Sequence, residues 1–282
     1  MKEISCSVIK EGVKALCAKA AFTLPGDVLL LLERAEKKET LSRAKNLLHV
    51  CIKNAEIAHS EKMPVCQDTG SAVFFVEAGN MVKITGGLLT DAIQEGTREG
   101  YTSHYLRSSV INDPVFTRQN TKDNTPAVIH FFPVEGDTLK IILAPKGGGS
   151  ENMSQIAMLS PTGGREAVED FVIHTVISAG GNPCPPLIVG VGIGGTFEYA
   201  ALLAKKALLR TPAGSPSPES RYAGLERTIL DRINERGSGP QGLGGRTTAL
   251  AVHIEYYPCH IASLPVAVNM NCHAARHAEL IL

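Results

Sequence analysis

The sequence contains no tryptophan, and phenylalanine and tyrosine together make up only 5% of its 282 residues. Proteins that bind single-stranded nucleic acid without sequence preference stack the bases on aromatic side chains, which are scarce here. Charge of one sign is not in excess either, because 28 lysines and arginines balance 28 aspartates and glutamates. Without a basic field, the electrostatic basis for nucleic-acid binding is missing. We therefore expect no nucleic-acid partner.

The sequence also lacks a signal peptide and a long apolar run. Residues 1–6 carry charge followed by helical periodicity, whereas a signal peptide has an apolar core and a small-residue cleavage site. No apolar run approaches the ~20 residues that a membrane-spanning helix needs. We expect a soluble, cytoplasmic protein that does not associate with a membrane.

Seven cysteines are present, but no two of them form a C-x-x-C pair, the arrangement often found in structural zinc sites. A disulfide framework is not expected, because the number is odd and the chain is long and without a secretion signal. Three cysteines lie in segments of helical periodicity and are expected to be small buried residues: Cys6, Cys17 and Cys51. Four lie beside proline, glycine or polar residues and are candidates for metal or redox chemistry: Cys66, Cys184, Cys259 and Cys272.

Apolar residues recur at helical spacing through most of residues 1–60, which predicts a helical lead-in. Beyond residue 60, helices and strands alternate without an internal repeat or a low-complexity linker. This pattern indicates a mixed α/β fold in a single domain covering residues 1–282. Residues 126–132 and 138–143 are rich in strand-forming types and flank the turn sequence EGD at 135–137, which predicts a β-hairpin.

Residues 63–70 (MPVCQDTG) place a thiol, an amide, a carboxylate and a hydroxyl in consecutive positions. A loop is predicted here, because Pro64 cannot donate to a β-ladder and Gly70 permits a sharp change of direction. Residues 71–78 are rich in β-branched and aromatic types, which predicts a strand that leaves the loop. The loop is therefore expected to present its side chains to a site.

Two glycine-rich stretches raise different expectations. Residues 147–149 are three glycines between a lysine and a serine, and their N–H groups can either converge on an anion or form a flexible turn. Gly190, Gly192 and Gly195 satisfy the G-x-G-x-x-G dinucleotide fingerprint between a predicted strand and a predicted helix. However, residues 211–218 form a proline-rich loop where a second strand with a ribose-binding acid should stand. Close helix–strand packing or an anion at the helix N-terminus is therefore preferred to a nicotinamide cofactor.

Cys66, Cys184 and Cys272 each lie in a predicted loop beside a strand, and they are far apart in sequence. Such thiols are either unrelated free cysteines or ligands of a cluster that the fold assembles. An iron–sulfur cluster held by three thiolates has one iron without a protein ligand, and that iron can act as a Lewis acid on a substrate. A redox sensor that carries the same cluster is the non-enzyme alternative.

Six motifs follow one another along the chain: VCQDTG at 65–70, PKGGGS at 145–150, CPP at 184–186, the glycine string before TFE at 196–198, GLGG at 242–245, and PCHIAS from 258 on to NC at 271–272. Together they resemble the α portion of class I fumarate hydratases and the related L-tartrate dehydratases, from about residue 41 onward. The resemblance implies a hydro-lyase that hydrates fumarate reversibly to L-malate, a reaction of the tricarboxylic acid cycle. The alternative that it leaves open is the dehydration of L-tartrate to oxaloacetate.

The resemblance also implies a cofactor and roles for individual residues. A 4Fe-4S cluster would be held by Cys66, Cys184 and Cys272, with Cys259 only a neighbour. The substrate would be bound by Gln67, Arg107 and Gly148. Asp68 and His260 would form the catalytic pair, since a carboxylate orients an imidazole and raises its basicity for proton transfer to departing hydroxide.

Single-chain members of that family continue into a second, β, domain, which supplies a catalytic threonine base and further arginine and lysine contacts. The resemblance therefore implies a separate β subunit and a hetero-oligomer. The present chain would hold the cluster and half of the active site for a small dicarboxylate substrate.

Overall fold

The computed structural model describes all 282 residues and contains eight α-helices and ten β-strands, which confirms the predicted mixed α/β class. The chain forms two compact units. Unit 1 comprises Met1–Pro25, Ala55–Gly148 and Arg276–Leu282, and unit 2 comprises Gly26–Asn54 and Gly149–Ala275. That residues 1–282 form one domain of a single type stays a prediction.

Three helices occupy most of the first sixty residues, as the apolar periodicity indicates: α1 (Cys6–Phe22), α2 (Gly26–Lys38) and α3 (Ser42–Glu61). A short strand, β1 (Lys2–Ser5), precedes them and was not predicted. The hydroxyl of Ser5 accepts a hydrogen bond from the N–H of Val8 at 3.4 Å, which caps α1. Pro25 separates α1 from α2, because proline lacks the N–H that a continuing helix needs.

One stretch, Cys6–Lys38, is apolar and long enough to cross a membrane, although no such run was expected. By length and composition alone this is weak evidence for a membrane span. In the structure the stretch is two helices, of 17 and 13 residues, interrupted at Thr23–Pro25. Each is shorter than the ~20 residues that span a bilayer.

Unit 1 is built on a four-stranded sheet, with a separate pair of strands and one further helix. Its remaining elements are β2 (Ser71–Gly79), β3 (Val82–Thr85), α4 (Leu89–Ser103), β4 (Val128–Val134), β5 (Leu139–Lys146) and β10 (Ala278–Ile281). The sheet order is β10-β5-β2-β4, and β1 pairs with β3. The buried faces of α1 and α4 pack over the sheet around Phe74, Ile93 and Ile141.

The predicted β-hairpin is wrong. Strand β2 lies between the two segments, parallel to β4 and antiparallel to β5, so β4 and β5 do not pair with each other. Residues 135–137 do form the turn between the two strands. Their strand partner comes from more than fifty positions earlier in the chain, which a local turn signal does not reveal.

Unit 2 is a second four-stranded sheet with helices on both faces. Besides α2 and the first part of α3, its elements are α5 (Gly148–Glu151, shared with the end of unit 1), β6 (Gln155–Leu159), α6 (Gly164–Ala179), β7 (Leu187–Gly194), α7 (Phe197–Ala207), α8 (Ser220–Arg236), β8 (Ala249–Tyr257) and β9 (Leu264–Asn271). The sheet order is β6-β9-β7-β8, with β7 parallel to β8 and antiparallel to β9. Helices α6 and α8 share one core with the sheet, and α7 packs on it through Ala200 and Ala204.

The glycine string of unit 2 serves close packing between β7 and α7. A Cβ atom at Gly190 would lie 2.1 Å from the carbonyl oxygen of Ala204, and one at Gly192 would lie 2.0 Å from that of Ala200. Any side chain at these two positions would therefore collide with the helix backbone. This bears out the expectation of helix–strand packing as the reason for the glycines.

Candidate active site

The loop that carries Cys66 joins α3 to β2 in unit 1, as predicted. It is fixed at one point by Val65, which is buried and whose N–H donates to the carbonyl oxygen of Ala21 at 2.9 Å. Cys66 is half-buried and Gln67 is exposed. The anchored Val65 therefore leaves the next two side chains available at the surface of unit 1.

The carboxylate of Asp68 is held by two backbone N–H groups. Oδ1 accepts from the N–H of Gly70 at 3.0 Å, and Oδ2 accepts from the N–H of Gly148 at 2.8 Å. A Cβ atom at Gly147 would lie 3.4 Å from Oδ2, so the glycine loop approaches the carboxylate closely. Within the glycine loop, the N–H of Gly148 therefore binds an anionic side chain of the protein itself, and convergence of the loop on a ligand anion stays a prediction.

Three buried side chains donate hydrogen bonds to three successive backbone carbonyl oxygens of the Cys66 loop. Arg276 Nη2 donates to Asp68 O at 2.8 Å. The hydroxyl of Tyr101 donates to Thr69 O at 3.3 Å and to Gly70 O at 2.9 Å. Asn124 Nδ2 also donates to Gly70 O, at 3.0 Å. We call Tyr101, Asn124 and Arg276 the carbonyl clamp.

The carbonyl clamp was missed by the sequence reasoning. Tyr101 fits the apolar periodicity of α4, so its spacing identifies it as a core residue and says nothing about its hydroxyl. Asn124 and Arg276 have no periodic or spacing signal at all. Burial raises the pKa of the Tyr101 hydroxyl, which therefore remains a hydrogen-bond donor at neutral pH.

Arg107 is exposed and its backbone is tied to the Cys66 loop. Thr69 Oγ1 donates to the carbonyl oxygen of Arg107 at 3.0 Å, and the N–H of Ser109 donates to Asn124 Oδ1 at 2.8 Å. Hydrogen bonds within unit 1 thus connect the carboxylate of Asp68 to Gly148 and the neighbouring Thr69 to the backbone of Arg107, while Gln67 precedes Asp68 in the same loop. An exposed guanidinium at this place suits a bidentate contact to a carboxylate of a ligand.

In unit 2, the segments of Cys184 and Cys272 are joined. Cys184 is exposed in the turn after α6, and Cys272 follows β9 and is half-buried. The N–H of His273 donates to the carbonyl oxygen of Cys184 at 3.2 Å. Cys184 also has φ of +56°, a left-handed conformation that costs energy for a residue with a side chain and that clusters at functional sites.

Cys51 lies near these two thiols but differs from them in its environment. Burial raises its pKa to about 11, with smaller contributions from Cys272 and Cys184. A metal ligand has to be a thiolate, so Cys51 fits the small buried residue that its helical position predicts. Cys17 is buried as well, whereas Cys6 is half-buried and its Sγ donates to Leu88 O at 3.6 Å.

His260 lies in the loop that connects β8 to β9 and is exposed. The N–H of Ala262 donates to its Nδ1 at 3.1 Å, so the neutral ring carries its proton on Nε2. The loop borders a cleft of about 530 Å³, which is lined by Gly195, Thr196, Tyr199 and residues 257–260. The thiol of Cys259 donates to Ser263 O at 3.2 Å, which suits a structural neighbour of His260.

The fit of these residues to an iron–sulfur cluster depends on their donor chemistry. Within neither unit do three or more His, Cys, Asp or Glu side chains form a group that could hold a metal ion. Two thiols on joined, surface-accessible segments of unit 2 fit two cluster ligands, and Cys66 of unit 1 offers a third thiol of the same kind. Of the implied catalytic pair, Asp68 lies in unit 1 and His260 lies in unit 2.

Comparison with known proteins gives consistent matches along the chain. Residues 10–281 match the family model described as fumarate hydratase (Fumerase). A Methanocaldococcus jannaschii protein, provisionally named L(+)-tartrate dehydratase subunit alpha, is 42% identical over 276 residues, covering 96% of each chain. The protein named L(+)-tartrate dehydratase subunit alpha in Escherichia coli is 34% identical over 284 residues, which cover all of this chain and 93% of the relative.

Proposed function

The chain belongs to the fumarate hydratase family, and on this basis we propose that it is the α subunit of a two-subunit, cluster-dependent hydro-lyase. The reaction is the reversible addition of water to an unsaturated four-carbon dicarboxylate, with fumarate and L-malate as the first candidate pair. The observation that carries the proposal is the fixed carboxylate of Asp68, which lies on the same loop as Cys66 and Gln67. Family membership favours this enzyme over a redox sensor.

The subunit name of the relatives supports a separate β partner. We propose that this partner supplies the base that takes the proton from carbon, so that the active site is complete only in the hetero-oligomer. The assembly is proposed to be cytoplasmic.

The proposed ligands of a 4Fe-4S cluster are Cys66, Cys184 and Cys272. When bound, the cluster would supply a Lewis-acidic iron that binds the substrate hydroxyl and a carboxylate. Arg107 binds a carboxylate of the substrate through its planar guanidinium, and Gln67 contacts the substrate beside it. Gly148 contributes to substrate binding in two ways. Its N–H orients Asp68, and the absence of a side chain leaves space for the substrate beside the backbone.

Asp68 and His260 handle the proton of the departing hydroxide. His260 Nδ1 already accepts the N–H of Ala262, so Nε2 is the atom that exchanges a proton. Asp68 keeps its carboxylate in place through Gly70 and Gly148 and so presents it with little reorganisation. Positioned acid–base groups of this kind accelerate a reaction by about 10²–10⁴-fold.

Cluster binding is tested by iron content and visible absorbance after anaerobic reconstitution. Replacement of Cys66, Cys184 or Cys272 by serine is expected to lower both. Cys259→Ser is the matched control, because this exposed thiol bonds only to Ser263 within its own turn. Iron content that is unchanged in the three variants, or reduced equally by the control, would contradict the ligand assignment.

The catalytic assignment is tested with the co-expressed subunits. Asp68→Asn is expected to lower kcat by about 10²-fold or more, because amide cannot take up the proton. Asp113→Asn is the control, since Asp113 also accepts backbone N–H groups, from Val115, Phe116 and Thr117, in an exposed loop of unit 1. Full turnover by the α chain alone would refute the division of the site between two subunits.

A second candidate reaction, dehydration of L-tartrate, is favoured by the names of the relatives. Fumarate and tartrate differ in the hydroxyl groups that the site has to accommodate. We therefore propose that kcat/KM be measured for fumarate, L-malate and L-tartrate with both subunits present. A preference for tartrate of 10-fold or more, about 1.4 kcal/mol in transition-state binding, would select the second candidate.

A further inference from the structure

Buried side chains bind the backbone of the Cys66 loop at each of three successive residues. The carbonyl oxygens of Asp68, Thr69 and Gly70 all accept hydrogen bonds from side chains of the carbonyl clamp. The three donors come from separate parts of unit 1: helix α4, the segment before β4, and the segment before β10. A loop whose consecutive carbonyls are all bound has little freedom to rotate its peptide planes.

The clamp residues are deeply buried, with exposed fractions of 2% for Tyr101, 0% for Asn124 and 3% for Arg276. Burial of a guanidinium carries a desolvation cost of several kcal/mol. The only polar group of the protein that accepts from Arg276 is the carbonyl oxygen of Asp68, since Nε and Nη1 make no hydrogen bond. A costly buried cation therefore has its one specific contact at the backbone of the proposed catalytic carboxylate.

The side-chain carboxylate of Asp68 is fixed as well as its main-chain carbonyl. Its two carboxylate oxygens accept from the N–H groups of Gly70 and Gly148. Gly70 is itself clamped through its carbonyl oxygen, so a shift of the clamp moves one of the two donors to the carboxylate. Main chain and side chain of Asp68 are thus fixed by one connected set of hydrogen bonds.

We propose that Arg276 is a positioning residue for Asp68, and that it acts together with Tyr101 and Asn124 through the backbone of residues 68–70. It has no contact with substrate in this role. The expected effect of Arg276 on turnover rests on the proposed function. Its expected effect on the rigidity of residues 68–70 does not. Misplacement of a catalytic group by about 1 Å can cost 10²-fold in rate, so loss of the clamp is expected to reduce turnover strongly.

Amide hydrogen exchange in the α chain tests the expected effect on the rigidity of residues 68–70. In Arg276→Met, the amides of Gly70 and Gly148 are expected to exchange at least 10-fold faster, while amides in the middle of β2 and β5 keep their wild-type rates. Arg276→Lys can still donate to Asp68 O and is expected to restore part of the protection. Arg118→Met is the matched control, because Arg118 also donates to a backbone carbonyl, that of Pro114, but is exposed.

Tyr101→Phe provides a second test of the clamp by hydrogen exchange, because it removes one buried hydroxyl and leaves the ring in the core. It is expected to speed exchange of Gly70 in the same selective manner. Unchanged exchange of Gly70 and Gly148 in both variants would overturn the inference. Equal acceleration across the whole of β2 and β5 would also overturn it, since that result describes general destabilisation.

A double-mutant cycle with both subunits present tests the expected effect on turnover. Arg276→Met is expected to lower kcat by about 10²-fold and to change KM by less than about threefold. In an Asp68→Asn background the same replacement is expected to lower kcat by less than about threefold, because its effect passes through Asp68. Independent, additive losses would refute the positioning role. Absence of hydro-lyase activity in the wild-type pair would instead refute the proposed function, and the exchange experiment would still decide on the clamp.

Discussion

His253 is expected to make the stability of the fold depend on pH between about 4 and 6.5. Its side chain is fully buried in β8, where Nε2 accepts from the N–H of Gly214 at 2.9 Å and Nδ1 donates to the carbonyl oxygen of Ala207 at 3.1 Å. Burial, and next the positive charge of Arg210, lower the pKa of His253 from 6.5 to about 4, against smaller opposing effects of the hydrogen bond to Ala207 and of Asp27. The folded chain therefore keeps this ring neutral.

The direction of the pH effect on stability follows from the number of protons that the folded and unfolded chains bind. Between pH 4 and 6.5 the unfolded chain binds a proton at this imidazole and the folded chain does not, so the free energy of unfolding falls as the pH is lowered. The contribution of His253 is complete above about pH 6.5 and is lost progressively towards pH 4. At about 1.4 kcal/mol for each pKa unit, the loss between about pH 7.5 and pH 5 is about 2 kcal/mol.

Urea unfolding at these two pH values measures the effect, with circular dichroism as the signal because the chain has no tryptophan. His253→Gln keeps an acceptor for Gly214 but does not titrate, so its loss of stability on acidification is expected to be about 2 kcal/mol smaller than that of the wild type. His174→Gln is the control, because His174 is exposed on α6 of the same unit. Equal losses in the wild type and in His253→Gln would refute the reasoning.

Three further substitutions have expected outcomes in the same unfolding assay. Gly192→Ala places a Cβ atom 2.0 Å from the backbone of α7 and is expected to cost about 3 kcal/mol or more. Gly224→Ala meets no atom within 4 Å in the interior of α8 and is expected to stabilise the fold by about 0.5–1 kcal/mol; a loss of stability would contradict an open helical position at Gly224. Glu226→Ala removes one of the two carboxylates that pair with Arg210 and leaves the N–H groups of Ser217 and Ile254 without their acceptor, so it is expected to cost about 2–5 kcal/mol. Glu3→Ala at the exposed pair with Lys83 is expected to cost far less stability.

Local sequence patterns were sufficient for elements that interact with their neighbours in the chain. The loop before β2 follows from Pro64 and Gly70, and the helices follow from their apolar periodicity. The pairing of strands was not predictable in the same way, because β2 separates β4 from β5 and comes from a distant segment. The strands β1, β6 and β10 have only four or five residues, too few for a clear alternation, and they exist because distant strands offer them partners.

The candidate site likewise contains residues that sequence patterns identify and residues that they do not. Apart from Arg107, the side chains that the resemblance assigns stand in motifs of unusual composition, so the sequence alone singles them out as candidates. The residues that hold them in place were not, since Arg276 is 208 positions from the residue to which it donates and no spacing rule connects the two. The role of Asn124 likewise depends on a backbone carbonyl, which every residue possesses. The roles of the predicted site residues stay predictions until the variants are measured.

The position of Arg276 in the chain has a consequence for biosynthesis. At about 5–20 residues per second, a ribosome needs on the order of 10–40 s to extend the chain from Asp68 to Arg276. Throughout that interval the nascent Cys66 loop lacks one of its three buried donors, and β5 lacks its neighbour β10. The loop can therefore take its final shape only after the segment 276–282 has been made, so the complete set of hydrogen bonds around Asp68 forms after translation of that segment.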